Sequence, residues 1–116
     1  MKKKYSKTVF ITGAAKRIGA KIATYLVSLG FNVIVHYYKS EASAKKLCTS
    51  INKNKEMAYC VKADLLNNKE LKKAFLKGIN KFGKIDCLIN NASIFEYDNL
   101  KTLKASIWNS HITANL

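Results

Sequence analysis

The chain has no proline, a single arginine (Arg17) and only seven acidic residues against 21 lysines and arginines. The missing proline gives no functional signal. The acidic shortage does: no Asp or Glu occurs from Met1 through Ser40. A net charge of +14 admits a polyanionic partner, but readers of base edges and phosphates favour arginine. Apart from the Lys2–Lys4 run, the lysines are spread along every helical segment, the pattern of a solvated surface, so no nucleic acid is expected. Long hydrophobic runs are also missing. Nothing approaches the ~18–20 apolar residues that span a bilayer. Behind the basic start Met1-Lys2-Lys3-Lys4 the apolar run is only Val9-Phe10-Ile11, too short for export. Cys48, Cys60 and Cys87 are odd in number and widely spaced, without a Cys-x-x-Cys pair. They read as ordinary, mostly buried thiols of a cytoplasmic protein, and no metal or membrane contact is expected.

An apolar fraction of 48% with six Tyr and five Phe implies a folded chain. At 116 residues it is one domain at most, short for a complete α/β enzyme. Its organising stretch is Thr8–Gly30. The apolar run Val9-Phe10-Ile11 leads through Thr12-Gly13 into a pattern that places Ile18, Ile22, Tyr25, Leu26 and Leu29 on one helix face. Gly30 is placed to end that helix in a left-handed conformation. Strand, glycine turn and helix together aim backbone N–H groups and a helix dipole at a phosphate. Gly13 permits the sharp turn and Gly19 a close approach.

The remainder alternates in the same way. Asn32–Tyr37 is a strand of the kind a parallel sheet buries on both faces. Ser40 is placed to cap a helix from Glu41 to about Asn54, with Ala44, Leu47, Cys48 and Ile51 inward. Met57–Val61 is a third strand ending at Ala63-Asp64-Leu65. Asn67 or Asn68 caps a third helix carrying Leu71, Phe75, Ile79 and Phe82, and Gly83 stops it. Ile85–Ile89 is a fourth strand, followed by Asn90-Asn91-Ala92-Ser93. Thr102 caps a fourth helix with Leu103, Ile107, Trp108 and Ile112. The expected fold is an α/β, Rossmann-type doubly wound parallel sheet. Because Ala114-Asn115-Leu116 lies inside an apolar helical pattern, the fold is expected to be truncated after the fourth βα unit, with one sheet edge open.

Several residues carry chemistry, each with a plainer reading beside it. Gly13, Lys16, Arg17, Ile18 and Gly19 form a phosphate loop or an ordinary tight turn. At the end of the second strand an NAD-binding chain places an acidic residue for the ribose 2′-hydroxyl. Here the sequence has His36, Tyr37, Tyr38, Lys39 and Ser40 instead. That set suits a 2′-phosphate and predicts NADP(H); the alternative is a solvated Lys39 and a core-packed His36. Asp64 either bonds an adenine amino group, with Leu65 on the ring, or caps a helix. Asn91, Ala92 and Ser93 lie at the carboxyl end of the fourth strand, the ligand side of an open α/β sheet, where asparagines also form ordinary turns.

In this order and spacing the chain resembles the short-chain dehydrogenase/reductase family over its whole length. The family's Thr-Gly-x-x-x-x-x-Gly loop matches Thr12 to Gly19, its Ala-Asp-Leu matches Ala63 to Leu65, and its Asn-Asn-Ala matches Asn90 to Ala92. Asn115 falls where the family places an asparagine of its catalytic tetrad, which orders a proton-relay water. The family's usual middle glycine is replaced by Arg17. With His-Tyr-Tyr-Lys-Ser and Asn-Asn-Ala-Ser, this is most similar to the pteridine reductase branch, which uses NADPH to reduce pterins. By that resemblance Arg17, Tyr37, Lys39 and Ser40 hold the adenosine phosphate, and Ser93 lies beside the nicotinamide and the pterin. Phe95 stacks on the pterin, or folds over its own core as a loop residue.

The family's catalytic Tyr-x-x-x-Lys has no counterpart here. Tyr97 and Lys101 have the literal spacing but precede the fourth helix, the wrong context. The expected function is hydride transfer from NADPH to a small unsaturated substrate, a pterin first and a 3-oxoacyl thioester or sugar carbonyl as the alternative. By the resemblance the whole protein forms dimers or tetramers. A non-catalytic nucleotide-binding fragment is the reading from another class.

Overall fold

The computed structural model describes residues 6–91. Its elements alternate as β1 (Thr8–Ile11), α1 (Arg17–Ser28), β2 (Asn32–Tyr37), α2 (Glu41–Ile51), β3 (Ala58–Lys62), α3 (Asn68–Phe82) and β4 (Cys87–Ile89). The four strands form one parallel sheet in the order β3-β2-β1-β4. Phe10 pairs with Ile34 on one side and Leu88 on the other, so β1 runs through the middle. The α/β parallel fold expected from the alternation is the one found.

Side chains alternate across the sheet and feed two cores. Val9, Ile11, Val33 and Val35 pack with Ala23 of α1 and with Ala44 and Cys48 of α2. Phe10, Ile34 and Val61 pack with Leu71, Ala74 and Phe75 of α3 on the other face. Both faces being covered is why β2 reads as an unbroken apolar run. Among the described residues no helix is long and apolar enough to cross a membrane.

Helix α3 sits as its pattern predicts. Leu71 and Phe75 are fully buried, and Ile79 and Phe82 pack against the same core. The Phe75 ring stacks on Phe10 with centroids 4.3 Å apart. Of the two candidate caps, Asn67 is the one used: its side chain accepts from the N–H groups of Lys69 and Glu70 at 3.0 and 3.1 Å. Gly83, at φ 89°, closes the other end.

Helix α1 corrects the predicted face. Ile22 and Leu26 pack inward, but Ile18, Tyr25 and Leu29 are 67%, 63% and 56% exposed. The helix rests instead on Gly19 and Ala23. A Cβ on Gly19 would come 2.6 Å from the Gly13 carbonyl oxygen and 2.7 Å from Ala14 Cα. The helix lies too close to the glycine loop for a large residue at the contact.

Two smaller corrections follow from side-chain bonding and edge position. Helix α2 stops at Ile51, short of Asn54, because Asn52 turns to the sheet. Its Oδ1 accepts from the N–H groups of Met57 and Ala58, both at 2.8 Å, and its Nδ2 donates to the Ala58 carbonyl at 2.9 Å. Of the thiols, Cys48 is buried and burial, then neighbouring Cys60, pushes it up to about 12, whereas Cys87 is exposed on the edge strand β4. The predicted fourth helix from Thr102 lies outside the described residues.

Candidate functional site

The chain runs outward from β1 to β3 and then crosses back to β4, so the order reverses beside β1. In an open α/β sheet ligands sit at the carboxyl ends of the strands at such a point. The loop after β1 occupies it and is fastened from two directions. Toward β4, the Thr12 N–H donates to the Ile89 carbonyl at 3.0 Å, and the Thr12 hydroxyl donates to Asn90 Oδ1 at 3.1 Å. The Asn91 N–H donates to Thr12 Oγ1 at 2.8 Å, and Asn91 Nδ2 donates to the Gly13 carbonyl at 3.0 Å. Toward β2, the Gly13 N–H donates to His36 Nδ1 at 2.9 Å and the Ala14 N–H donates to the His36 carbonyl at 3.0 Å. Gly13 holds φ 60°, where glycine is unstrained.

Beside this loop lies a cavity of about 270 Å³. The loop contributes Gly13, Ala15 and Lys16; the end of β2 contributes His36 and Tyr37; the turn before α2 contributes Tyr38, Lys39 and Ser40; and the end of β3 contributes Asp64 and Leu65. Lys39 Nζ stands 5.6 Å from the centre of the Tyr38 ring, a cation–π distance. Ser40 precedes α2 without its hydroxyl capping the helix. The Tyr37 phenol is pushed above its ordinary value by burial first and then by Glu41 and Cys60, with Lys45 opposing, so it is a neutral donor at pH 7. Glu41, the first acidic residue of the chain, is paired with Lys45 at 2.9 Å on the exposed face of α2.

Burial pushes the His36 ring below the ordinary histidine value, opposed by its bond to the Ala63 carbonyl. A ring held neutral in the fold contributes stability that is complete above about pH 6.5. That contribution is lost as the pH falls from there toward the lower native value, because the unfolded chain takes up the proton first.

The profile of the short chain dehydrogenase family matches residues 7–116. The chain belongs to the short-chain dehydrogenase/reductase family. It is 31% identical over 111 residues to the 3-oxoacyl-acyl-carrier-protein reductase of Staphylococcus epidermidis, covering 96% of this chain and 46% of that one. It is 30% identical to the tetrahydroxynaphthalene reductase of Pyricularia oryzae, covering 94% of this chain and 38% of that one. A solved Burkholderia cenocepacia dehydrogenase with bound NADP aligns with a TM-score of 0.67 at 33% identity, covering 73% of this chain and 33% of its own. The chain thus spans less than half the length of these curated relatives.

The cavity gathers Gly13, Lys16, His36, Tyr37, Lys39, Ser40, Asp64 and Leu65 from the residues predicted for the cofactor. Arg17, Ile18 and Gly19 lie beyond its lining, at the start of α1. Arg17 is exposed and holds φ 54°, a left-handed conformation that favours glycine. Both alternatives drawn for Asp64 involve its carboxylate, which forms a turn instead of capping α3: Oδ1 accepts from the Leu66 N–H at 3.0 Å. Ala92, Ser93, Phe95 and Asn115 lie outside the described residues. Sequence reasoning missed the tie between Glu70 and the Asp64 N–H, 2.8 Å long. The Asn67-x-x-Glu70 spacing was its signal, since it is a capping-box pattern whose glutamate here reaches further back.

Proposed function

We propose that the protein carrying these residues is an NADP(H)-dependent reductase, with residues 1–116 as its dinucleotide-binding unit. The observation that carries the cofactor choice is the cavity wall, which offers Lys16, Lys39 and Ser40 where an NAD site offers a carboxylate. Glu41, the nearest acid in sequence, is occupied by Lys45. Lys39, Ser40 and the Tyr37 phenol would hold the 2′-phosphate, and the start of α1 with Lys16 and Arg17 would face the other phosphates. When bound, NADPH supplies a hydride. The protein residues then orient cofactor and substrate: Asn91, Ala92 and Ser93 beside the nicotinamide, and Asn115 ordering a proton-relay water.

For the substrate, a 3-oxoacyl thioester is the first class, supported by the likeness to the Staphylococcus reductase. A pterin is the second, supported by the resemblance of the loop with Arg17 in place of the middle glycine, of His-Tyr-Tyr-Lys-Ser and of Asn-Asn-Ala-Ser to the pteridine reductase branch. Arg17 stands at φ 54°, where a side chain costs about 1–2 kcal/mol that glycine avoids. An arginine there suits the cofactor phosphates, and Phe95 would stack on the pterin ring. We further propose a cytoplasmic homo-oligomer without a nucleic-acid partner.

Calorimetric titration with NADPH and NADH tests the cofactor. NADPH should bind at least about tenfold more tightly, and Lys39→Ala should remove about that factor for NADPH alone. Equal binding of the two cofactors would overturn the reading. Turnover of a 3-oxoacyl thioester and of a dihydropterin by the whole protein ranks the substrates. Reduction of the pterin alone would reverse the order given.

A further inference from the structure

The glycine loop is tied on one side by groups that do not titrate and on the other by one that does. His36 is 2% exposed and lies against Phe10, ring centroids 6.4 Å apart. Its Nδ1 accepts the Gly13 N–H at 2.9 Å, so the ring hydrogen must sit on Nε2, which donates to the Ala63 carbonyl at 2.8 Å. One imidazole thereby joins the loops after β1 and β3 from the end of β2. We propose that His36 is a positioning residue for the cofactor: its neutral ring holds the glycine loop in the shape that receives a phosphate, and a second ring proton releases that loop. This rests on the nucleotide-binding reading above.

Protonated Nδ1 would set a donor against the Gly13 donor at 2.9 Å, on a ring that is only 2% exposed. The loss would fall on Gly13, whose carbonyl also holds Asn91, so the attachment toward β4 would loosen with it. Lys16 from the loop and Lys39 after β2 border the ring's cavity and oppose a positive charge on it, and the phenols of Tyr37 and Tyr38 line the same cavity. From the β3 side Asp64 favours the charge, but its carboxylate is engaged by the Leu66 N–H; Glu70 of α3 is engaged by the Asp64 N–H. The donor conflict at Nδ1 therefore decides the outcome.

The test compares wild type with His36→Asn, whose amide oxygen takes the place of Nδ1 without titrating, and His36→Phe, which fills the space without an acceptor. NADPH affinity is measured by calorimetry at about pH 7.5 and at a lower pH at which the imidazole NMR shifts show His36 protonated. That pH lies below the ordinary histidine value because burial lowers the ring. At the higher pH His36→Phe should lose at least about fivefold, and His36→Asn should recover most of it. At the lower pH wild type should weaken at least about fivefold relative to His36→Asn, since protonation of the 2′-phosphate itself is common to both. A wild-type to His36→Asn ratio that stays constant with pH would overturn the proposal, as would full affinity in His36→Phe. If His36→Phe does not fold, the His36→Asn ratio decides alone. If no variant binds NADPH, the cofactor reading fails. The latch is then read from the Gly13 amide of the unliganded chain, by NMR shift and hydrogen exchange. Faster exchange as His36 titrates supports the latch, and an unchanged amide overturns it.

Discussion

Helix α3 meets the sheet through large side chains, Leu71 and Phe75, both fully buried. Helix α1 sets Gly19 against the glycine loop, packs Ala23 with Ile22 and Leu26 on the sheet, and leaves Ile18, Tyr25 and Leu29 in solvent. The two helices therefore do different work on the same sheet. Helix α3 supplies volume, and its distance from the strands is set by what must fit between them. Helix α1 brings its first turn against the glycine loop, so volume is removed from the contact. The apolar stripe of α3 marks its buried face, while in α1 the most deeply buried positions are the small residues Gly19 and Ala23.

Removing volume from α3 should give the largest effect. Phe75→Ala deletes a ring stacked on Phe10 in the centre of one core, at an expected cost of about 3–5 kcal/mol in urea unfolding. A loss below about 1 kcal/mol would mean that the face collapses to fill the space and is not packed as described.

Adding volume separates the two helices by kind of effect. Gly78 of α3 faces the Ile34 side chain, which can move, and Gly19 of α1 faces the backbone of Gly13 and Ala14, which cannot without reshaping the loop. Gly78→Ala should cost about 1–3 kcal/mol of stability and leave NADPH affinity unchanged. Gly19→Ala should lower NADPH affinity by at least about tenfold even where the fold persists. Equal affinity in both variants would erase the functional distinction between the helices.

This contrast also explains which parts of the molecule were legible in the sequence. Strand and helix order, the Asn67 cap and the Gly83 stop follow from local periodicity and from residues that bond their own backbone. The cavity wall from Lys16 to Leu65 was legible because the loops that form it all follow strands, and parallel strands end on one side. The seating of α1 was not, since a hydrophobic pattern ranks Ile18 and Tyr25 above Gly19 and Ala23, and close approach reverses that ranking. Nor was the role of His36. Its sequence context allowed phosphate contact or core packing, whereas the fold buries the ring and uses both nitrogens on backbone groups of two distant loops. Asn91 is similar: its amide is spent on the Gly13 carbonyl, a contact set by the crossover of β4 to the far side of β1.

The smallest effect belongs to the outward face of α1. Tyr25 and Leu29 make up much of an exposed apolar strip, and replacing either by glutamine keeps a residue that helices accept. On this chain Tyr25→Gln and Leu29→Gln should each change stability by less than about 0.5 kcal/mol, as surface substitutions do. A loss near 2 kcal/mol, about the value of a buried side chain, would mean that the strip is covered in solution. Sedimentation over a range of concentrations then identifies a second copy as the cover if the loss tracks association. The comparison between the helices would change accordingly, because α1 would carry an inner face of small residues for the loop and an outer face of large ones for a partner.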